Sequence, residues 1–165
     1  MKDHNSPEAI EERSSQEDPI VMYLIVHDSL NMGVGKTAAQ CAHASQMLTL
    51  RYFDSKKELS RLHDEMSKFH AASQDVPQPL KDRSLLICRQ SSIMGEWLNS
   101  SFRKVVLKAS DKEWVKLKEE FKDSMVLVVD AGLTEIAAGS ETIIGLWPMR
   151  KSQASKTIKR LQVLK

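Results

Sequence analysis

Cysteine is scarce in this 165-residue sequence: Cys41 and Cys88 are the only two. Neither belongs to a CxxC pair or has ligands at metal-binding spacing, so a structural zinc module is excluded and free thiols are expected. No metal is called for. The most apolar stretch, seven residues from Ile20 to Val26, is far short of the roughly 20 needed to span a membrane. No internal repeat is visible. The first residues are acidic and polar rather than basic then apolar, which argues against a secretory leader and predicts a cytoplasmic protein. Acidic residues are absent from Met149 to Lys165, where six basic ones stand, while residues 1–20 carry six acidic and two basic side chains. The formal net charge of +2 is therefore split between an acidic start and a basic remainder. That asymmetry permits a polyanionic partner without requiring one, since a basic terminal helix also serves as a solvated face.

An apolar content of 41% is ordinary for a folded chain, and this length predicts one domain over residues 20–165. Residues 1–19 lack periodicity and read as a disordered acidic tail. The chain is organised around IVMYLIVHDSLNMGVGKTAAQCAHASQM, residues 20–47. Its apolar opening suits a strand buried on both faces. A polar turn follows, with Gly33 and Gly35 where the backbone needs freedom or close approach. A helix is predicted from Thr37. Its small residues Ala38, Cys41, Ala42 and Ser45, with Leu48 and Tyr52, share one side and bring its axis close to a sheet. Lys36, Gln40 and His43 fall on the opposite side near the helix N-terminus. A lysine, an amide and an imidazole beside free N–H groups suit an anion or a developing oxyanion, or else form a solvated polar face.

Downstream, Leu59, Leu62, Met66 and Phe69 form a helical stripe, and Pro77 and Pro79 stop that helix. Ser84–Arg89 reads as a short strand or buried turn, with Ser91 or Ser92 capping a short helix after it. Lys104–Ala109 is a predicted strand. Ser110 and Glu113 have capping-box spacing and open a helix that turns Trp114, Leu117 and Phe121 inward. Met125–Val129 and Thr142–Trp147 are further strands, antiparallel to each other or separated by another strand, and a basic helix runs through Ile158 and Leu161. The fold class is α/β: a mixed, roughly four-stranded sheet with helices on both faces.

Two motifs compete for a chemical role. GVGKT at 33–37 invites a phosphate-loop reading, but Leu30 stands where GxxxxGK[ST] needs its first glycine. VLVVD at 126–130 matches a strand ending in a Mg²⁺-organising aspartate only weakly. The other constellation joins Lys36 to Asp130 and Thr134 past the carboxyl ends of two strands, where polar groups converge on one crevice. Asp130 is suited to accept a proton from water, Thr134 to fix that water, and Lys36 to stabilise an oxyanion. Asp130 and Thr134 also suit the capping of a tight turn.

LNMGVGKTAAQCAHA, KVVLKA and DAGLTEIAAGSETIIGLWP, in this order, resemble the class II peptidyl-tRNA hydrolase family of archaea and eukaryotes. The resemblance implies a mixed four-stranded sheet flanked by helices, often in a homodimer. It also implies hydrolysis, without metal or cofactor, of the ester joining a peptide to the 3′ ribose of tRNA. By position, the family's active-site lysine, aspartate and threonine fall on Lys36, Asp130 and Thr134. Gln40 and His43 match its QCxHA, and Lys108 matches the second lysine of its KVVLK strand. Gly33, Gly35, Gln40, His43, Lys104, Lys108 and Ser140 are the expected substrate-binding positions, with Arg103 nearby, for the CCA end and phosphates of peptidyl-tRNA. His43 is read either as a proton shuttle or as a residue packed beneath the site, the second being preferred. The chain departs from the family pattern at Val34, Leu133, Glu135 and Ala138, which removes positive charge where tRNA phosphate is expected. Residues from about Leu50 to Gly95 read as an insertion. A diverged member that binds RNA or protein without turnover is the alternative, and a nucleotide-phosphate enzyme stands third.

Overall fold

The computed structural model describes residues 18–100 and 102–165; the expected tail over residues 1–17 lies outside them. Strand β1 (Ile20–His27) is followed by a 3₁₀ turn (Asp28–Leu30) and helix α1 (Val34–Ala71), which is 38 residues long. Helix α2 (Gln78–Leu98), β2 (Lys104–Ala109), α3 (Asp111–Phe121), β3 (Met125–Val129) and β4 (Glu141–Leu146) follow. The chain closes with β5 (Met149–Arg150), a 3₁₀ turn, α4 (Lys156–Arg160) and β6 (Gln162–Val163).

Among the described residues the sheet has six strands, ordered β3-β4-β1-β2-β6, with β5 pairing β1. The expected four strands are its long members. β1 and β2 run parallel, with Val26 opposite Lys108, while β4 pairs antiparallel with both β1 and β3. The sheet is therefore mixed. The apolar run of β1 is buried on both faces because alternate residues enter two cores. Met22, Leu24 and Val26 meet Ala44 and Leu48 of α1 and Met94 and Trp97 of α2. Val21, Tyr23 and Ile25 meet Trp114 and Leu117 of α3 and Ile158 of α4. Gly145 marks where α1 crosses β4: a Cβ there would stand 2.8 Å from Val126 Cγ2 and 3.2 Å from Ala44.

Local signals explain most element boundaries. Gly33 is the N-cap residue of α1, which starts three residues earlier than predicted and runs unbroken through the Leu59–Phe69 stripe. Pro77 caps α2 and Pro79 lies in its first turn, so the prolines end one helix and open the next. Ser84–Arg89, expected as a strand or turn, is helical, and Ser91 and Ser92 lie inside α2 rather than at a cap. The capping box of Ser110 and Glu113 is formed, and it opens α3. The expected C-terminal helix is only five residues long; Ser155 caps it and the chain then joins β2 as β6. Asp18 and Pro19, expected within the tail, are tied down. The Asp18 carboxylate accepts from Ser152 N and Oγ, each at 2.7 Å, and Pro19 O accepts from Lys151 N at 2.9 Å.

Candidate active site

Parallel β1 and the end of β3 deliver two elements to one rim of the sheet: the first turns of α1 and the loop from Asp130 to Ser140. Asp130 closes that loop at its base, its N–H donating to Ser140 O and its carbonyl accepting from Gly139 N, both at 2.9 Å. Gly132 makes the tight turn possible. Its φ is +75°, and an added Cβ would meet Ala138 N at 2.5 Å. Gly132 N donates to Asp130 Oδ2 at 2.9 Å, so Asp130 does serve the turn. Its other oxygen serves something else.

Lys36 Nζ donates to Asp130 Oδ1 at 2.5 Å and to Thr134 Oγ1 at 2.9 Å, bringing the three residues together. Gln40 Nε2 donates to the same Asp130 oxygen at 2.7 Å. Asp130 is only 7% exposed. The Lys36 ammonium beside it, then the Gly132 N–H, hold its carboxyl below the usual carboxylate range against the opposing effect of burial. The carboxylate is therefore ionised at neutral pH.

Gln40 corrects the predicted helix phase. It lies on the buried side of α1 with Thr37, Cys41, Ala44 and Leu48, while Ala38 and Ala42 are exposed. Its amide is satisfied there because Thr142 Oγ1, wholly buried on β4, lies 2.9 Å from Gln40 Oε1 and 3.1 Å from Val128 O. Thr142 was missed as a site residue. A buried threonine in a strand carries no signal in the sequence until its partner is known.

The remaining candidates scatter. His43 is exposed, one turn beyond Gln40, and corrects the expectation of a histidine packed beneath the site. Lys108, at the end of β2, places Nζ 3.4 Å from Asp28 Oδ2. Lys104 lies at the other end of that strand, about 13 Å away at strand rise. Its ammonium sits 4.7 Å from the centre of the Trp97 ring. Arg103 acts through its carbonyl, which accepts from Trp97 Nε1 at 2.9 Å and Met22 N at 3.0 Å. Ser140 contributes the backbone that holds Asp130. Gly35 has open space around it, whereas Gly33 N donates to Glu135 Oε2 at 2.8 Å. Glu135 thus brings its carboxylate to the positive end of α1. Leu133 and Val34 stand at 87% and 89% exposure, side chains with no packing role. Among the described residues, no group of three or more His, Cys, Asp or Glu is placed to hold a metal ion, and no helix is long and apolar enough to cross a membrane.

The arrangement differs from a phosphate loop, in which lysine and backbone N–H groups face a bound phosphate. Here Lys36 is committed to Asp130 and Thr134, and a 3₁₀ turn precedes the helix. The family model described as "Peptidyl-tRNA hydrolase PTH2" matches residues 20–164. The chain belongs to this family. Named relatives include the peptidyl-tRNA hydrolase of Methanococcus maripaludis (strain C6), 29% identical over 147 residues, 86% of this chain and 96% of that protein. "Peptidyl-tRNA hydrolase 2, mitochondrial" of Bos taurus is 32% identical over 131 residues, 77% of this chain and 54% of that protein. The human protein of the same name is 31% identical over an equal span. The match to the archaeal protein runs nearly its whole length, while this chain spans about half of the mammalian ones. In this PTH2 chain, Lys36, Asp130 and Thr134 are three side chains that share hydrogen bonds.

Proposed function

We propose that this chain hydrolyses the ester between a peptide and the 3′ ribose of tRNA, with Lys36, Asp130 and Thr134 as catalytic residues. The observation that carries the reading is the Lys36 ammonium bridging a buried carboxylate and an exposed threonine hydroxyl. An ammonium has three N–H donors and a carboxylate about four acceptor positions. Lys36 spends two donors on its neighbours, leaving one for a carbonyl oxygen. Asp130 accepts from Lys36, Gln40 and Gly132, leaving one acceptor position on Oδ2.

Water held by that position and by Thr134 Oγ1 attacks the ester carbonyl, passing its proton toward Asp130 as the C–O bond forms. A carboxylate of lowered pKa is a weak base, so orientation of the water is its larger contribution. Negative charge developing on the carbonyl oxygen is met by Lys36. Collapse expels the ribose 3′ oxygen, which takes the proton back, and leaves tRNA and a peptide carboxylic acid, which releases its proton to solvent and becomes the carboxylate. No cofactor enters this scheme. Gln40 fixes Asp130, and Lys108 with the first turn of α1 meets the tRNA end. A homodimer belongs to the reading on the family resemblance alone, and a cytoplasmic address on the free thiols expected of Cys41 and Cys88.

Release of N-acetyl-aminoacyl groups from tRNA, compared between wild type and Lys36→Ala, tests this. Turnover by wild type and its loss in the variant supports an esterase centred on Lys36. No turnover by folded wild type, with salt-sensitive tRNA binding retained, favours the second reading, a binding module. One observation speaks for that second reading: Glu135 supplies an anion at the helix N-terminus where tRNA phosphate would be expected to lie.

A further inference from the structure

β3 forms one margin of the sheet, and among the described residues only β4 pairs with it. Exposed edge strands are ordinarily blunted by charge, proline or a cover. β3 reads Met-Val-Leu-Val-Val, with neither charge nor proline. The direction of its backbone groups follows from strand alternation. Val128 O faces Thr142 of β4, and both backbone groups of Asp130 bond Gly139 and Ser140. The N–H and C=O of Leu127 and Val129 therefore point away from the sheet. Met125 belongs to the same outward row, and its carbonyl accepts from Arg51 Nη1 at 2.9 Å. Arg51 thus closes the far end of the edge.

Beside this edge runs a groove of about 490 Å³, walled by His43, Gln46, Met47 and Leu50 of α1 and by Leu127 and Val129. Met47, Leu50 and Val129 are exposed apolar side chains. Helix on one side and unpaired strand on the other is the form of groove that takes an extended peptide by strand addition. At its open end, Val129 is bonded to Asp130.

We propose that the groove holds the peptide part of the substrate as an added strand parallel to β3, with the ester at Asp130; this rests on the hydrolase reading above. Main-chain pairing is blind to side-chain identity, which suits an enzyme whose substrates end in any sequence. The free edge spans about 13 Å between Met125 and Val129 at strand rise, room for about four peptide residues.

The test is kcat/KM for tRNA carrying peptides of one, two, four and six residues. Wild type is expected to gain about tenfold from one residue to four, the worth of one or two net hydrogen bonds, and then to level off. Methylating the backbone nitrogens of the second and third residues from the ester should remove the gain. Leu127→Pro, tolerable on an edge, should flatten the series while N-acetyl-aminoacyl-tRNA is still cleaved. If that variant does not fold, the methylated substrates decide with wild type alone. A kcat/KM independent of peptide length, or a length gain insensitive to methylation, overturns the groove and leaves the hydrolase reading standing. Failure to cleave any of these esters overturns the hydrolase reading itself. A dimer that Leu127→Pro dissociates overturns the peptide as occupant and gives the edge to a second copy.

Discussion

Two lysine–carboxylate pairs stand near the same rim, one on each face of the sheet. On the α3 face, Lys118 Nζ donates to both oxygens of Glu141 at 2.6 and 2.8 Å, and Trp114 Nε1 donates to Oε2 at 3.0 Å. The Lys118 hydrogen bonds, then that of Trp114, hold the Glu141 carboxyl below its usual range. His27 stacks on Trp114 with ring centres 4.3 Å apart and bonds the Glu141 carbonyl and Asp111. On the α1 face, Lys36 reaches one oxygen of Asp130 and spends another proton on a hydroxyl. Side-chain exposures are 38% and 31% for Lys118 and Glu141 but 12% and 5% for Lys36 and Asp130. The first pair is closed on itself and solvent-screened. The second is dry and retains bonding capacity toward a third party. Similar ingredients give a brace in one place and a candidate reaction centre in the other.

The strongest way to break that contrast is truncation. Lys36→Ala and Asp130→Ala are each expected to lower kcat about 10²–10⁴-fold, the range for losing an oxyanion stabiliser or a group acting on water. Lys118→Ala should leave kcat within about threefold and cost at most about 1 kcal/mol of stability, as exposed pairs do. Full activity in Asp130→Ala, measured on a cooperatively melting protein, removes that residue from the mechanism. The pH profile sharpens the same point. Because the folded pKa of Asp130 is depressed from 3.8, its contributions to stability and activity are complete above that value. Both are lost as pH falls through the lower, folded value. An acid limb of kcat/KM near neutrality would contradict this.

Smaller effects probe the supports. Thr142→Val leaves Gln40 Oε1 buried without its hydroxyl partner and should cost about 1–3 kcal/mol by denaturant titration, with kcat falling because Gln40 no longer fixes Asp130. If stability falls and kcat does not, Gln40 is structural. Glu135→Gln removes the carboxylate at the start of α1 and should lower KM for tRNA substrates about twofold to threefold at low salt, with kcat unchanged. An unchanged KM would mean that tRNA phosphate does not approach this end of the helix.

Much of this was legible in the sequence because the signals were local. β2 and β3 were bounded correctly by apolar runs, and α3 by its capping box. Lys36, Asp130 and Thr134 follow strand ends, where an α/β sheet gathers its chemistry. What failed was burial of polar atoms. Phasing α1 by its small residues placed Gln40 outward, because hydropathy cannot register an amide whose partners, Asp130 and Thr142, come from 90 and 102 residues away. SLLICR misled for a different reason: four apolar residues in a row fit a strand or a helix equally. In α2, Leu85 and Leu86 are exposed while Ile87 is buried. Lys104 was grouped with Lys108 by their shared strand, although four residues of strand rise carry one of them out of reach.

The anchoring of Asp18 on Ser152 has a practical use. It fixes where the chain enters the fold: at the start of β1, beside Tyr23 and Ile158, on the face turned away from α1. A fluorophore or affinity handle joined ahead of Asp18 departs from there, with the sheet between its attachment point and Lys36. A dye attached at Asp18 itself therefore sits on the face of the sheet opposite the one that carries α1 and Lys36.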